Sequence, residues 1–180
     1  MVSWKGQKGG NLEFHKLVWG EELERWSIEQ LESADTLLFG RTTCEGMAAY
    51  WTQAKGRDAD LMNSIKKVVF STTLKQAEWN NTELIKEHPA DAVAKLKRQP
   101  GKDVYIFGSA KLSSTLMQHG LIDEYRLALV PVILGRGNPL FKEGLRVPMK
   151  LLEAKQLKNG CVIVRYEPQN GNTERSAQSK

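Results

Sequence analysis

Gly40-Arg41-Thr42-Thr43 groups residue types suited to holding an anion. The glycine lets a ligand come close to the main chain, while the guanidinium and the two hydroxyls donate hydrogen bonds to it. If the tetrad opens a helix, the exposed amides and the helix dipole add to the attraction. Gly108-Ser109-Ala110-Lys111 offers the same kit again, and Ser71-Thr72-Thr73 offers a run of hydroxyls. Two phosphate-sized sockets on neighbouring loops predict a dinucleotide, with its pyrophosphate on the glycine loops and its adenosine end toward Ser71, Thr72 and Thr73. Taken singly, each motif also serves as a strand-to-helix turn or a cap. The ligand reading therefore rests on all three reaching one edge of one sheet. The spacing is not the GxGxxG fingerprint, which argues against an ordinary Rossmann domain.

The elements needed to position these loops are legible. Thr36 to Phe39 (TLLF), Lys67 to Phe70 (KVVF) and Val104 to Phe107 (VYIF) are short apolar runs of the kind buried on both faces of a parallel sheet, and each stops at small or hydroxylated residues. Helices are predicted between and around them. Residues 21–34 place Leu23, Trp26, Ile28 and Leu31 at apolar positions, with carboxylates in the first turn, and further helices are expected over 42–50, 90–98 and 110–119. This is the crossover rhythm of a largely parallel sheet. Beyond residue 123 the pattern changes. Residues 124–134 read as a strand, and residues 150–156 and 161–166 as two more around Lys158-Asn159-Gly160, whose Asn-Gly pair signals a hairpin.

Composition bounds the rest. The 180 residues suit one domain, and 41% hydrophobic with 26% charged residues excludes an overall disordered chain. No apolar run approaches a membrane span or a signal peptide, so a cytoplasmic location is the default expectation. The formal charge of +5 is spread along the chain without interleaved aromatics, and it reads as a solvated basic surface instead of a nucleic-acid footprint. Cys44 and Cys161 have no metal-ligand spacing, so no metal is expected and both are read as buried thiols. His15, His88 and His119 are scattered and read as surface residues.

The segments FGRTTCEGMAAYW (39–51), VFSTTL (69–74) and IFGSAKLSSTLMQHGLIDEYRLALVPVILGRGNPLF (106–141) together resemble the dihydrofolate reductase superfamily, and within it the branch containing the reductase domain of the riboflavin-biosynthesis enzyme. The similarity covers roughly residues 21–166. It implies a dihydrofolate reductase-like three-layer α/β/α fold over residues 1–168, with a mostly parallel central sheet and a C-terminal antiparallel hairpin; the polar tail 169–180 is expected to be disordered. The resemblance further implies NADPH as cofactor and hydride transfer to a small heterocyclic substrate, pterin-like or pyrimidine-like. Carried over by position, Gly40, Arg41, Thr42 and Thr43 would meet the cofactor phosphates, while Ser71, Thr72 and Thr73 with Arg41 would lie near the adenosine 2'-phosphate. Phe107, Gly108, Ser109, Ala110, Lys111 and Leu112 would hold the pyrophosphate. Met47, Tyr50 and Trp51 are read either as lining a substrate pocket or as the apolar side of a helix.

The chain departs from the family at its start. Ser3-Trp4-Lys5-Gly6 stands where the family has a Ser-Leu-Asp-Gly-like loop after a full central strand, so Lys5 replaces the usual aspartate. Either most of that strand is missing or Met1 to Trp4 forms a short stub of it. A missing strand would leave its neighbours with unpaired backbone groups, at about 1–3 kcal/mol for each one buried, unless a partner chain or a rearranged strand covers the gap. Glu21, Glu22 and Glu24 read as carboxylates favouring a helix dipole, and no proton donor is assigned. Two other readings stay open: the riboflavin-pathway 5-amino-6-(5-phosphoribosylamino)uracil reductase activity, and a catalytically idle nucleotide-binding protein on the same scaffold. The resemblance also makes a homodimer through the C-terminal strands an expectation.

Overall fold

The computed structural model describes residues 16–135, 139–141 and 146–169. Ser3, Trp4, Lys5, Gly6 and His15, and the tail from residue 170, lie outside them. Helix α1 (Glu21–Ser33) carries Glu21, Glu22 and Glu24 in its first turn, at the positive end of the helix dipole. Next come β1 (Ala34–Gly40), α2 (Arg41–Trp51), α3 (Arg57–Ser64), β2 (Lys66–Phe70), β3 (Thr82–Ile85), α4 (Pro89–Leu96), β4 (Asp103–Gly108) and α5 (Ala110–Gln118). Strands β5 (Tyr125–Leu129), β6 (Met149–Gln156) and β7 (Val162–Pro168) complete the described chain.

Strands β1 to β4 form one parallel sheet in the order β3-β2-β1-β4. β1 is central because its sequence is apolar on both faces. Leu37 and Phe39 point into a cluster with Leu31, Cys44, Met62, Val69 and Trp79, beneath α1, α2 and α3. Leu38 points the other way, into a cluster with Val68, Val93, Leu112 and Leu116 beneath α4 and α5. The alternation of side chains along a strand thus converts one run, Leu37-Leu38-Phe39, into two cores and three layers. Each of these side chains is at most 1% exposed, and removing one such group from water stabilises by about 1.5–3 kcal/mol.

The last three strands form a separate antiparallel sheet, ordered β5-β7-β6. The β6–β7 connection is the hairpin that Asn159-Gly160 predicts: Gly160 has φ +84° and donates to the Leu157 carbonyl, and the Asn159 side chain accepts from the Cys161 amide at 3.0 Å. Val18, Leu23, Leu157, Cys161 and Ile163 make a third cluster, which joins α1 to this sheet.

The fold class is the expected one, with differences of extent. The strand expected over 124–134 is ordered only as Tyr125–Leu129, because Pro131 lacks the N–H a ladder needs. α3 and β3 were not expected from sequence. Only Ala59 and Met62 of α3 are buried, and β3 is a four-residue edge strand with no fully buried side chain.

Candidate functional site

Register brings the three anion-suited motifs together. Gly40, the last residue of β1, pairs with Phe70 at the end of β2, and Phe39 pairs with Gly108 at the end of β4. Gly40-Arg41-Thr42-Thr43, Ser71-Thr72-Thr73 and Gly108-Ser109-Ala110-Lys111 therefore leave the carboxyl ends of three adjacent parallel strands, the edge where open α/β sheets bind ligands. Arg41 reaches across to Thr73, its Nη1 donating to Oγ1 at 2.9 Å, while its Nε lies 3.1 Å from Glu45. The Ser71 hydroxyl accepts from the Leu74 amide at 3.0 Å and shapes the loop after β2. Ser109 caps α5, accepting from the Leu112 amide. Arg41, Thr42, Thr72, Thr73 and Lys111 are exposed on this rim, whereas Thr43 and Leu112 are buried beneath it.

The glycines are dictated by contact between the loops. A Cβ on Gly40 would sit 2.8 Å from the Ser109 hydroxyl, and one on Gly108 would sit 3.4 Å from the Thr43 methyl. Gly108 also has φ +130°, a region that residues with a Cβ avoid, and the Gly108–Ser109 peptide is cis. The first and third loops are thus packed on each other.

Charge at the helix starts separates these two helices from the rest. α1 carries three glutamates in its first turn, α3 carries Asp58 and Asp60, and α4 carries Asp91. The first turns of α2 and α5 hold no carboxylate, and they begin with Arg41 and with Ala110-Lys111. Gly40 gives α2 no side-chain cap, so the first amides of α2 keep their donors for something else. A positive helix end with no acid and an adjacent cation is a fitting receptor for a phosphate group.

Met47, Tyr50 and Trp51 of α2 line a cavity of about 970 Å³ that continues past Leu31, Tyr105 and Phe107 into the space between β4 and β5. Trp51 donates its indole N–H to the Met47 sulfur at 3.3 Å, and the Tyr50 and Trp51 rings meet edge to face at 4.9 Å. Met47 and Trp51 pack on the core and border the cavity, while Tyr50 is 61% exposed.

Beneath the rim the second residue of β2 is a lysine that sequence reasoning overlooked. Lys67 is fully buried; its ammonium donates to the carbonyls of Met62, Asn63 and Ile65 at 2.7–2.8 Å and lies over the Trp79 ring. Burial pushes it down to about 8. The neighbouring Cys44 thiol is pushed up to about 11, first by burial and then by Glu45. A charged residue heading the apolar run Lys67 to Phe70 was the available signal, although not of its burial. At the far end of the cavity, Arg126 of β5 donates to Gln30 at 2.6 Å and to Glu124, lies over the Tyr105 ring and reaches Asp103 of β4 at 3.5 Å. His88 and His119 stay at the surface with rings 5.5 Å apart, and no cluster able to hold a metal ion is present among the described residues.

The RibD C-terminal domain family matches residues 7–163. The chain belongs to that family. Among similar proteins, the uncharacterized protein YyaP of Bacillus subtilis strain 168 is 34% identical over 142 residues, spanning 76% of this chain and 75% of YyaP. A crystal structure of a candidate riboflavin biosynthesis protein from Shewanella sp. PV-4 superposes with a TM-score of 0.74 at 20% identity, covering 90% of each chain. The Enterococcus faecalis dihydrofolate reductase, solved with NADP(H), superposes with a TM-score of 0.56 at 13% identity over 84% of each. The fold of this RibD C-terminal domain relative is thus dihydrofolate reductase-like. Among the described residues no helix is long and apolar enough to cross a membrane.

Proposed function

We propose that this RibD C-terminal domain relative is an NADPH-dependent reductase acting on a small heterocyclic substrate, pterin-like or pyrimidine-like. The observation that carries the reading is the convergence of Gly40-Arg41-Thr42-Thr43, Ser71-Thr72-Thr73 and Gly108-Ser109-Ala110-Lys111 on one rim, beginning the two helices whose first turns lack carboxylates. When bound, a reduced nicotinamide supplies the hydride; the residues supply position and a dry surround. Gly40, Arg41, Thr42 and Thr43, with Phe107 to Leu112, would hold the phosphates. Arg41 with Ser71, Thr72 and Thr73 would meet the 2'-phosphate, a bidentate partner for a guanidinium. The reacting ring would face the part of the cavity bordered by Met47, Tyr50, Trp51 and Phe107, whose side chains are largely apolar.

The family match favours a second reading of the substrate, the phosphoribosylaminouracil of riboflavin synthesis. The test is a thermal-shift titration with NADPH, NADH and no nucleotide, followed by NADPH oxidation with candidate pterins, diaminopyrimidines and the ribosylated pyrimidine. Selective stabilisation by NADPH supports the cofactor site through mass action. No shift with either nucleotide refutes it, and a shift without turnover identifies an idle nucleotide-binding protein. We further propose a homodimer through the C-terminal sheet, where Leu129, Leu151 and Leu152, together with Ile133 and Leu134 in the segment after β5, are at least 40% exposed. Light scattering across a dilution series reads its mass.

A further inference from the structure

The guanidinium at the rim is already held on two sides. Nη1 of Arg41 donates to the Thr73 hydroxyl at 2.9 Å, and that hydroxyl lies 3.4 Å from the Ser71 hydroxyl. Nε of Arg41 faces Glu45 Oε1 at 3.1 Å, one turn further along α2. A guanidinium carries about five N–H donors, so these two contacts leave the greater part of Nη1 and Nη2 for a ligand.

Glu45 stands out on this rim by its sign. Gly40 to Thr43, Ser71 to Thr73 and Gly108 to Lys111 contain no carboxylate. Among the described residues, Glu45 is the one acid ion-paired with a cation of these loops. The Arg41 and Glu45 side chains are 48% and 50% exposed, so the pair is solvated and the fold gains little from it.

The carboxylate has two opposed effects on an anion bound at Arg41, and their sizes decide between them. As an acceptor at Nε, it orients the guanidinium before any ligand arrives. An exposed pair at this helical spacing does so weakly, by a factor of about two. As a charge, it stands one guanidinium width from whatever the remaining donors hold. At that range it opposes a phosphate of about −1.5 to −2 charge by roughly three- to tenfold, even in a largely aqueous setting. Repulsion outweighs orientation.

We propose that Glu45 is a specificity-determining residue that limits the grip of Arg41 on the 2'-phosphate of the coenzyme. The proposal rests on the reductase reading of the rim. NADH carries a hydroxyl at that point and escapes the repulsion. Because the 2'-phosphate takes no part in hydride transfer, Glu45 weakens reduced and oxidised coenzyme alike, a uniform effect on binding.

Calorimetric titration of the full chain with NADPH, NADP+ and NADH tests this in the wild type, Glu45→Gln and Glu45→Ala. Glutamine keeps an oxygen acceptor for Nε without the charge, and alanine removes both. Both variants should bind NADPH and NADP+ about three- to tenfold more tightly than the wild type, with NADH changed less than about twofold. Most of the gain should vanish near 1 M salt, where screening acts within about 3 Å. Unchanged or weaker NADPH binding by Glu45→Gln overturns the proposal, as does an equal change for NADH. Loss of NADPH affinity in Glu45→Ala alone would make Glu45 a prop for Arg41 and overturns it too. If the wild type prefers NADPH and the variants keep the same preference, the proposal fails and the reductase reading stands. If none of the three proteins binds a nucleotide, both fail.

Discussion

Substituting Gly40 by alanine probes whether the first and third loops form one rim. Gly40 has φ −83° and ψ 159°, ordinary extended backbone, so an alanine there incurs no backbone strain. Its Cβ would stand 2.8 Å from the Ser109 hydroxyl and 3.5 Å from the Ser109 Cβ. The hydroxyl must swing away, and with it goes the cap that accepts from the Leu112 amide, worth about 1 kcal/mol. Residual crowding adds ~1–2 kcal/mol. Against these, replacing glycine restricts the unfolded chain and returns ~0.4–1 kcal/mol. Gly40→Ala alone should therefore destabilise by about 1–2 kcal/mol. In a Ser109→Ala background the cap is already absent and the nearest atom is at ordinary contact distance. There the same change should be neutral or stabilise by ~0.4–1 kcal/mol, giving a coupling of roughly 2 kcal/mol in the double-mutant cycle. Urea unfolding of the four proteins measures it. Additive costs would refute the loop contact and, with it, the shared rim.

Arg41→Ala should weaken NADPH about 10- to 100-fold more than it weakens NADH, since one charge-assisted contact to a phosphate is worth ~1.5–3 kcal/mol; equal losses in a titration of both nucleotides would count against the 2'-phosphate assignment. Lys67→Met leaves the carbonyls of Met62, Asn63 and Ile65 without their donor and should lower unfolding stability by about 2–4 kcal/mol, whereas Lys66→Met, at an exposed surface pair with Glu83, should stay within ~0.5 kcal/mol. The Cys44 thiol, 4% exposed and held up to about 11, should resist an aromatic disulfide reagent at mildly alkaline pH until the protein is unfolded. Because the folded chain keeps that proton longer than the unfolded one, its contribution to stability is complete below the ordinary value of 9.0 and is lost as pH rises toward about 11. Cys44→Ala should remove that part of the alkaline slope in thermal melts taken across this range.

The parallel half of the fold was legible because its strands are short apolar runs and its helices amphipathic. β1 shows why: Leu37-Leu38-Phe39 needs burial on both faces, and only a central strand provides it. The convergence of the three loops came from the same pattern, since each strand ended in a small or hydroxylated residue. Lys67 was illegible because its burial depends on carbonyls at the end of α3, a helix with too few apolar residues to show a period. β3 hid for a related reason: Thr82-Glu83-Leu84-Ile85 is held by pairing with β2 instead of by its own burial. The separation of the two sheets depends on the space between β4 and β5, which no local pattern encodes.

Core packing and rim geometry are tied by register. A slip of β1 by one residue would turn Leu37 and Phe39 away from the cluster they fill beneath α1 to α3, so the pairing Gly40↔Phe70 is enforced from below. On the other side the ladder is uneven: Leu38 pairs with Ile106, but Phe39 pairs with Gly108, leaving Phe107 as an extra residue. A bulge bends its strand and re-aims the residues beyond the bend. Here it lets Phe107 pack on the first cluster beside Tyr105 while Gly108 and Ser109 are carried against Gly40 and Thr43. Without the irregularity, Phe39 would face Phe107 and the glycine would come one step later. The third loop would then overshoot the first by ~3.3 Å, more than the contact between Gly40 and Ser109 tolerates. The bulge, more than the glycines themselves, is what brings two separate helix starts to one rim.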